Sequence, residues 1–179
     1  MASPFLVPVA QLLRAIPSST ELAFHAPFDE AHEFEPRASV ETDVPIDSEV
    51  EVAIRIDSFR GGVRARGTVV APWRGICRRC SVVVDGTLAA AVNERYVDDP
   101  APEDEEAYPF EGEFINLLPL VHDAVLLELP IAPLCRPDCR GLCPTCGIEL
   151  NEEQCDCRPE VDSRWATLDA LRFEDPASD

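Results

Sequence analysis

The chain has 179 residues, enough to bury one sizeable core. Its 34 acidic residues face only 15 basic ones, all arginine, and the formal charge of −19 excludes nonspecific duplex or membrane binding by the surface as a whole. No apolar run approaches the ~20 residues that a bilayer span requires.

The N-terminal stretch MASPFLVPVAQLLRAIPSS is mildly apolar, but Pro8 and Arg14 interrupt it and no basic leader precedes it. That argues against a signal peptide, so the cytoplasm is the expected compartment. Residues 9–16 allow one or two helical turns, and Thr20–Phe24 a short strand. Residues 26–45 show no clear period and read as loop with room for one strand. At 49–57, EVEVAIRID sets Val50, Val52, Ile54 and Ile56 against Glu49, Glu51, Arg55 and Asp57, the alternation of a strand with one wet face. Ser58–Gly62 turns the chain, Val63–Ala71 continues the alternation, and a third long strand falls within 82–97. The result is an antiparallel meander.

Residues 98–113 carry eight acids, no arginine and three prolines, and read as a solvated loop. Asn116 then caps a helix running to about Leu129, with Pro119 tolerated in its first turn. Leu117, Val121, Val125 and Leu129 line one face, widened by Leu118, Leu126 and Leu127, so this helix should cover the sheet. Asp162 begins a second short helix, DSRWATLDALR, with Trp165, Leu168 and Leu171 as its apolar stripe. The expected fold class is α+β and mainly antiparallel: a β-meander or barrel-like domain over 1–134 with a covering helix at 116–129. A cysteine-rich segment with the C-terminal helix, 135–179, packs on it.

Six of the eight cysteines lie between 134 and 157, and the other two in ICRRCS at 76–81. Disulfides poorly explain them in a reducing compartment, and metal explains them better. Zinc bound by thiolates takes four sulfurs in a tetrahedron, commonly two from a tight CxxC turn. Two such turns are present, Cys77–Cys80 and Cys143–Cys146. The second is the sharper signal, because CPTCG places Pro144 and Gly147 where the turn frees backbone amides to face sulfur. Cys155 and Cys157 follow closely and complete four ligands. Cys135 and Cys139 could crowd the same ion, but eight cysteines divide more economically into two sets of four, Cys77, Cys80, Cys135 and Cys139 forming the other set. This predicts two Zn²⁺ ions, both in closed, structural sites. A redox reading of CRRC has support from its flanking guanidinium groups, but the motif sits between strands and not at a helix start.

Seven arginines fall between positions 55 and 79 against a single acid, Asp57. Alternation sets Arg55, Arg64 and Arg66 on one face, and Arg74, Arg78 and Arg79 lead into the CxxC turn. Two readings stand: a basic surface facing phosphate, or arginines pairing with the surplus acids. No interleaved aromatics point to base stacking. His25, His32 and His122 are scattered, and His122 beside Asp123 reads as a surface or internally satisfied histidine. With no phosphate-cradling glycine loop, nucleophile elbow or acid–base pair, the expectation is no enzyme and no small-molecule substrate.

GICRRC, the acidic loop, INLLPLVHDAVLLELPIAPLCRPDCRGLCPTCGIELN and DSRWATLDALR together resemble the YceD family, the large ribosomal RNA subunit accumulation proteins, over about residues 12–173. The likeness is strongest to actinobacterial members, and LPIAPLCRPDCRGLCPTCG is its most specific part. It implies a non-enzymatic factor in accumulation or processing of large-subunit ribosomal RNA. Its partners would be the precursor large subunit or that RNA, with ribosomal proteins as a second class. Some family members keep the upstream CxxC and Cys or His at the positions of Cys135 and Cys139 yet lack CPTCG, which favours two separate metal sites. Similar actinobacterial proteins look as though they carry HxH where this chain has CDC, which supports Cys155 and Cys157 as a ligand pair. Competing readings are an acidic adaptor that binds ribosomal proteins, and a thiol- or zinc-linked redox or metal-handling protein.

Overall fold

The computed structural model describes residues 3–28, 42–45, 48–98, 107–158 and Arg164. Three long antiparallel strands form its centre: β4 (Glu49–Phe59), β5 (Gly62–Ile76) and β6 (Val83–Val97). The alternation in the sequence is what orients β4. Val50, Val52, Ile54 and Ile56 are at most 2% exposed, while Glu49, Glu51 and Arg55 stay outside. The connecting turn is only Arg60–Gly61, because Phe59 pairs with Gly62. Gly61 there adopts φ 93°, a left-handed value that favours glycine. β5 runs past Ala71, where the sequence suggested an end, because β6 pairs it through Pro72 to Ile76.

β2 (Ser19–Pro27) lies against β4 over nine residues, longer than the expected Thr20–Phe24. Beyond the end of β4, the two-residue β3 (Thr42–Asp43) continues along the same edge of β5. β7 (Tyr108–Pro109) joins β6 in parallel at Tyr96 and Val97. The order is therefore β2-β4-β5-β6-β7, with β3 on β5. Within the described residues this sheet is open and does not close into a barrel, and α2 (Leu118–Glu128) packs against β6 and β5.

A second, two-stranded sheet pairs β1 (Leu6–Pro8) with β8 (Phe114–Asn116), with the short α1 (Ala10–Arg14) following β1. The apolar N-terminus thus belongs to the core: Phe5 and Val9 are fully buried and Val7 nearly so. The N-cap position of α2 is Leu117, one residue later than expected, and Asn116 before it accepts the Leu118 amide at 3.0 Å. Leu117, Val121, Val125 and Leu129 face inward as expected. Leu126 and Leu127 do not. They are 45% and 87% exposed, because at 100° per residue they rotate away from the Val121–Val125 stripe, and Leu120 widens it instead. His122 is also buried, not on the surface, its ring stacked on Phe28 at 5.8 Å.

Near its end the acidic segment is anchored at Tyr108 and Phe110, while Glu111–Glu113 stay exposed as expected. Phe110 is 5% exposed, and the Tyr108 hydroxyl donates to Asp123 on α2 at 2.9 Å. The rest of that segment, 99–106, the stretch 29–41 and the helix expected from Asp162 lie outside the described residues.

Candidate metal centres

The end of β5 and the start of β6 are joined by a tight loop whose backbone bonds are local. Cys77 N donates to the Val82 carbonyl at 2.8 Å, and Ser81 N donates to the Cys77 carbonyl at 2.9 Å. Residues 143–148 repeat this plan. Cys143 N donates to Ile148 O at 2.8 Å, and Gly147 N to Cys143 O at 2.9 Å. Each loop passes through a left-handed residue just after its second cysteine, Ser81 at φ 61° and Gly147 at φ 75°. This turn points two sulfurs and several amides into one small volume.

The remaining thiols complete two groups of four. Cys77, Cys80, Cys135 and Cys139 form one tetrad, and Cys143, Cys146, Cys155 and Cys157 the other, all sulfurs of a tetrad lying within 4.8 Å of one another. In the first, Cys77 Sγ is 3.8 Å from Cys139 Sγ and Cys80 Sγ 3.6 Å from Cys135 Sγ. Those separations far exceed the ~2.05 Å of a disulfide. They match the ~3.8 Å edge of a tetrahedron with Zn–S bonds of ~2.3 Å. The donor set, its count and its spacing therefore fit a four-coordinate dication. The first tetrad is the more buried, with Cys77, Cys80 and Cys139 at 1%, 4% and 2% exposure.

Acidity is uneven within each tetrad. Burial raises the Cys77 thiol, but amides of Cys135, Cys80 and Arg79 outweigh it and hold it at about 6. Amides of Cys146 and Thr145 likewise lower Cys143 to about 6. Cys80 receives the Val82 amide, yet burial and three neighbouring sulfurs push it up to about 12. Cys157 is pushed to about 12, first by the Cys146 sulfur and then by burial. Four adjacent thiols cannot all ionise unaided, whereas a dication displaces the protons they retain.

The strip between the tetrads ties them together. Gly141, at φ 75°, packs against Arg79: a side chain there would meet the Arg79 carbonyl at 2.8 Å. Leu142 N donates to that carbonyl at 3.0 Å, and Arg79 Nη1 donates to the Cys139 carbonyl at 2.8 Å. On the other side Leu150 N donates to Gly141 O at 2.9 Å. Asn151, which the sequence did not single out, accepts Arg140 N at 2.8 Å and donates from Nδ2 to Cys139 Sγ at 3.3 Å. An NxEQCDC context gives no ligand signal, so only the fold reveals this contact.

Arg55, Arg64 and Arg66 lie in adjacent rows of one face, and Arg74 lies apart from them along β5. Registered pairing across β2, β4, β5 and β6 sets Glu21, Arg55, Arg66 and Asn93 in one row, and Ser19, Asp57, Arg64 and Arg95 in the next. Asp57 binds Arg55 at 2.8 Å and also Arg66. The hydrogen bond from Arg55, then that from Arg66, holds its carboxyl below the usual range. Arg74 lies eight residues farther along β5, ~26 Å from Arg66 at strand rise. There it sits between Asp43 and Asp85, the latter at 2.6 Å. Arg78 is exposed beside the first tetrad, its amide donating to Pro133 O at 3.0 Å.

These features define a class: an antiparallel β protein with two all-cysteine tetrads, one of which joins a sheet loop to a distant segment. The family model described as the large ribosomal RNA subunit accumulation protein YceD matches residues 65–172, more than half of the chain, and the chain belongs to that family. It is 36% identical to an uncharacterized protein of Mycobacterium tuberculosis over 177 residues, covering 94% of this chain and 81% of that one. Over 71 residues it is 38% identical to the large ribosomal RNA subunit accumulation protein YCED homolog 1, chloroplastic, of Arabidopsis thaliana, covering 39% of this chain and 22% of the relative. A Bacillus subtilis protein, uncharacterized protein YlbN, is 28% identical over 159 residues, 84% of this chain and 90% of the relative. No solved structure matches.

Proposed function

We propose that this chain is a non-enzymatic, zinc-clasped factor of large ribosomal subunit biogenesis, supporting accumulation or processing of large-subunit ribosomal RNA in the cytoplasm. Membership of the YceD family across residues 65–172 carries the reading. The similarity to a chloroplastic homologue whose name states that role supports it further.

Zinc is the ion, because an all-thiolate tetrahedron suits its softness and offers no open position for water. Cys77, Cys80, Cys135 and Cys139 would hold one ion and clasp the β-rich unit, 1–134, to the cysteine-rich segment, 135–179. Cys143, Cys146, Cys155 and Cys157 would hold the second within that segment. Each loaded centre carries about −2, and Arg78, Arg79, Arg136 and Arg140 near the ligands offset it. The partner is the precursor large subunit or its RNA, and Arg55, Arg64 and Arg66 supply the surface that meets it.

Deleting the gene in the organism that encodes it tests the reading. The expected outcome is a fall in mature large-subunit RNA relative to small-subunit RNA, measured by electrophoresis of total RNA. Wild-type protein should restore the ratio and Cys77→Ser should not. An unchanged ratio in the deletion strain would overturn the proposal.

A further inference from the structure

The outer face of the main sheet is uneven in charge. At the hairpin end, Arg55, Arg64 and Arg66 are joined by Arg95, which β6 brings directly opposite Arg64. Four guanidinium groups there face two acids in the same rows, Asp57 and Glu21. Asp57 is only 24% exposed and bridges Arg55 and Arg66, so it fixes their position while leaving each side chain 52% exposed. Arg64 makes no ion pair among the described residues.

Beyond this cluster the β5–β6 half of the face becomes small and uncharged: Thr68 opposite Ala91, Val70 opposite Ala89, Pro72 opposite Thr87. On β4, Glu51 lies opposite Val70, and the next charged residue of β5 itself, Arg74, is flanked by Asp43 and Asp85. The seven-arginine run of the sequence therefore leaves its cationic excess at one end of the sheet.

Such a surface suits one kind of RNA better than another. Single strands are gripped by stacking bases on aromatic rings; none occurs in the two arginine rows, and Phe59 in the next row is half-buried with its ring over Gly62. Base-paired RNA is recognised by shape, through phosphates and 2′-hydroxyls across its shallow minor groove. Arginines two to a row, the second pair offset by one strand from the first, with Asn93, Ser19 and Thr68 among or beside them and a flat floor alongside, supply those contacts.

We propose that the hairpin end of the outer face, Arg55, Arg64, Arg66 and Arg95, seats the backbone of a base-paired RNA segment. This rests on the reading of the chain as a ribosomal RNA factor and names the form of RNA it takes.

The test is fluorescence anisotropy of the full, zinc-loaded chain against three probes of one sequence: a 20-base-pair RNA duplex, its single strand, and the matching DNA duplex. The RNA duplex should bind tightest. Arg64→Ser should reduce the slope of log affinity against log salt by about 1. Arg64→Ser with Arg66→Ser should weaken binding on the order of tenfold, and Arg74→Ser should change nothing. Circular dichroism melts establish that each variant is folded. Equal or tighter single-strand or DNA binding overturns the duplex assignment and leaves the ribosomal RNA reading standing. Equal loss with Arg74→Ser overturns the location. Absence of binding to every nucleic acid probe, with capture of poly-glutamate instead, overturns both.

Discussion

Asn151 stands four residues before Cys155, on the loop of the second tetrad, yet its amide donates to Cys139 of the first at 3.3 Å. Groups that hydrogen-bond to metal ligands orient them and tune the metal, and losing one costs about 10–100-fold in affinity. Asn151→Ala should therefore leave two ions countable by native mass spectrometry but release the first tetrad's ion to a competing chelator at about tenfold lower concentration. Asn151→Asp keeps an acceptor for the Arg140 amide and removes the donor to sulfur, so it should be no better than alanine. A wild-type chelator midpoint in either variant would show that the contact is incidental. Asp57 gives a pH test of a different kind. Its pKa is depressed in the folded chain, chiefly by the Arg55 hydrogen bond and then by Arg66. Its stabilisation is thus present above the ordinary carboxylate value of about 4 and is lost as pH falls through the folded pKa. The melting temperature of Asp57→Asn should lie slightly below wild type at pH 7, since water screens an exposed bridge, and the gap should close toward pH 2. A gap that persists at pH 2 would assign the effect to something other than the ionised bridge.

Strand-level packing leaves little room at Gly67. A methyl on Gly67 would fall inside contact distance of the Ala53 carbonyl and 2.8 Å from Ile54 Cα, both backbone atoms of the neighbouring strand. Gly67→Val should break the β4–β5 register and yield aggregated or molten protein, visible as loss of a cooperative melt. On α2 the contrast is between faces: Val125→Ala should cost about 2 kcal/mol, and Leu127→Ser close to nothing, in denaturant unfolding. The reverse ranking would mean that the helix is rotated. Much of this was legible in the sequence, because β4 alternates strictly, the first half of β5 continues that alternation and α2 has a continuous apolar stripe. β1 and β8 were not, since three residues are too few to show a period and their partners lie over a hundred positions apart. Nor was the inward pull on Phe110, which polar neighbours conceal. The cysteine tetrads follow the division that their spacing suggested. The distance of Arg74 from Arg64 and Arg66 was less legible, because Pro72 obscured the length of the fifteen-residue β5.

Over the whole molecule the two tetrads have unequal reach. The first links residues 55 and 62 positions apart, joining the β5–β6 loop to the segment after α2. The second closes only Cys143–Cys157, among residues outside the main hydrophobic core. By analogy with a covalent cross-link, closing a loop of about 60 residues removes enough unfolded-state entropy to contribute about 4 kcal/mol, provided the ion binds only the folded chain. In a chain of this size that corresponds to a shift on the order of 10 °C in melting temperature. On the same reasoning the short loop is worth about 3 kcal/mol, but it lies outside the main hydrophobic core, so its loss should be felt locally. Cys77→Ser should thus lower the main calorimetric transition by that amount, whereas Cys143→Ser should leave it within about 2 °C of wild type. In the second variant the change should appear instead as faster hydrogen exchange across 143–157. Native mass spectrometry should count two metals in wild type and one in each variant. One ion in wild type that survives Cys77→Ser would place all the metal in the C-terminal segment. Among the described residues, the contacts of Arg79 with Cys139, Gly141 and Leu142 would then remain to hold the sheet to that segment.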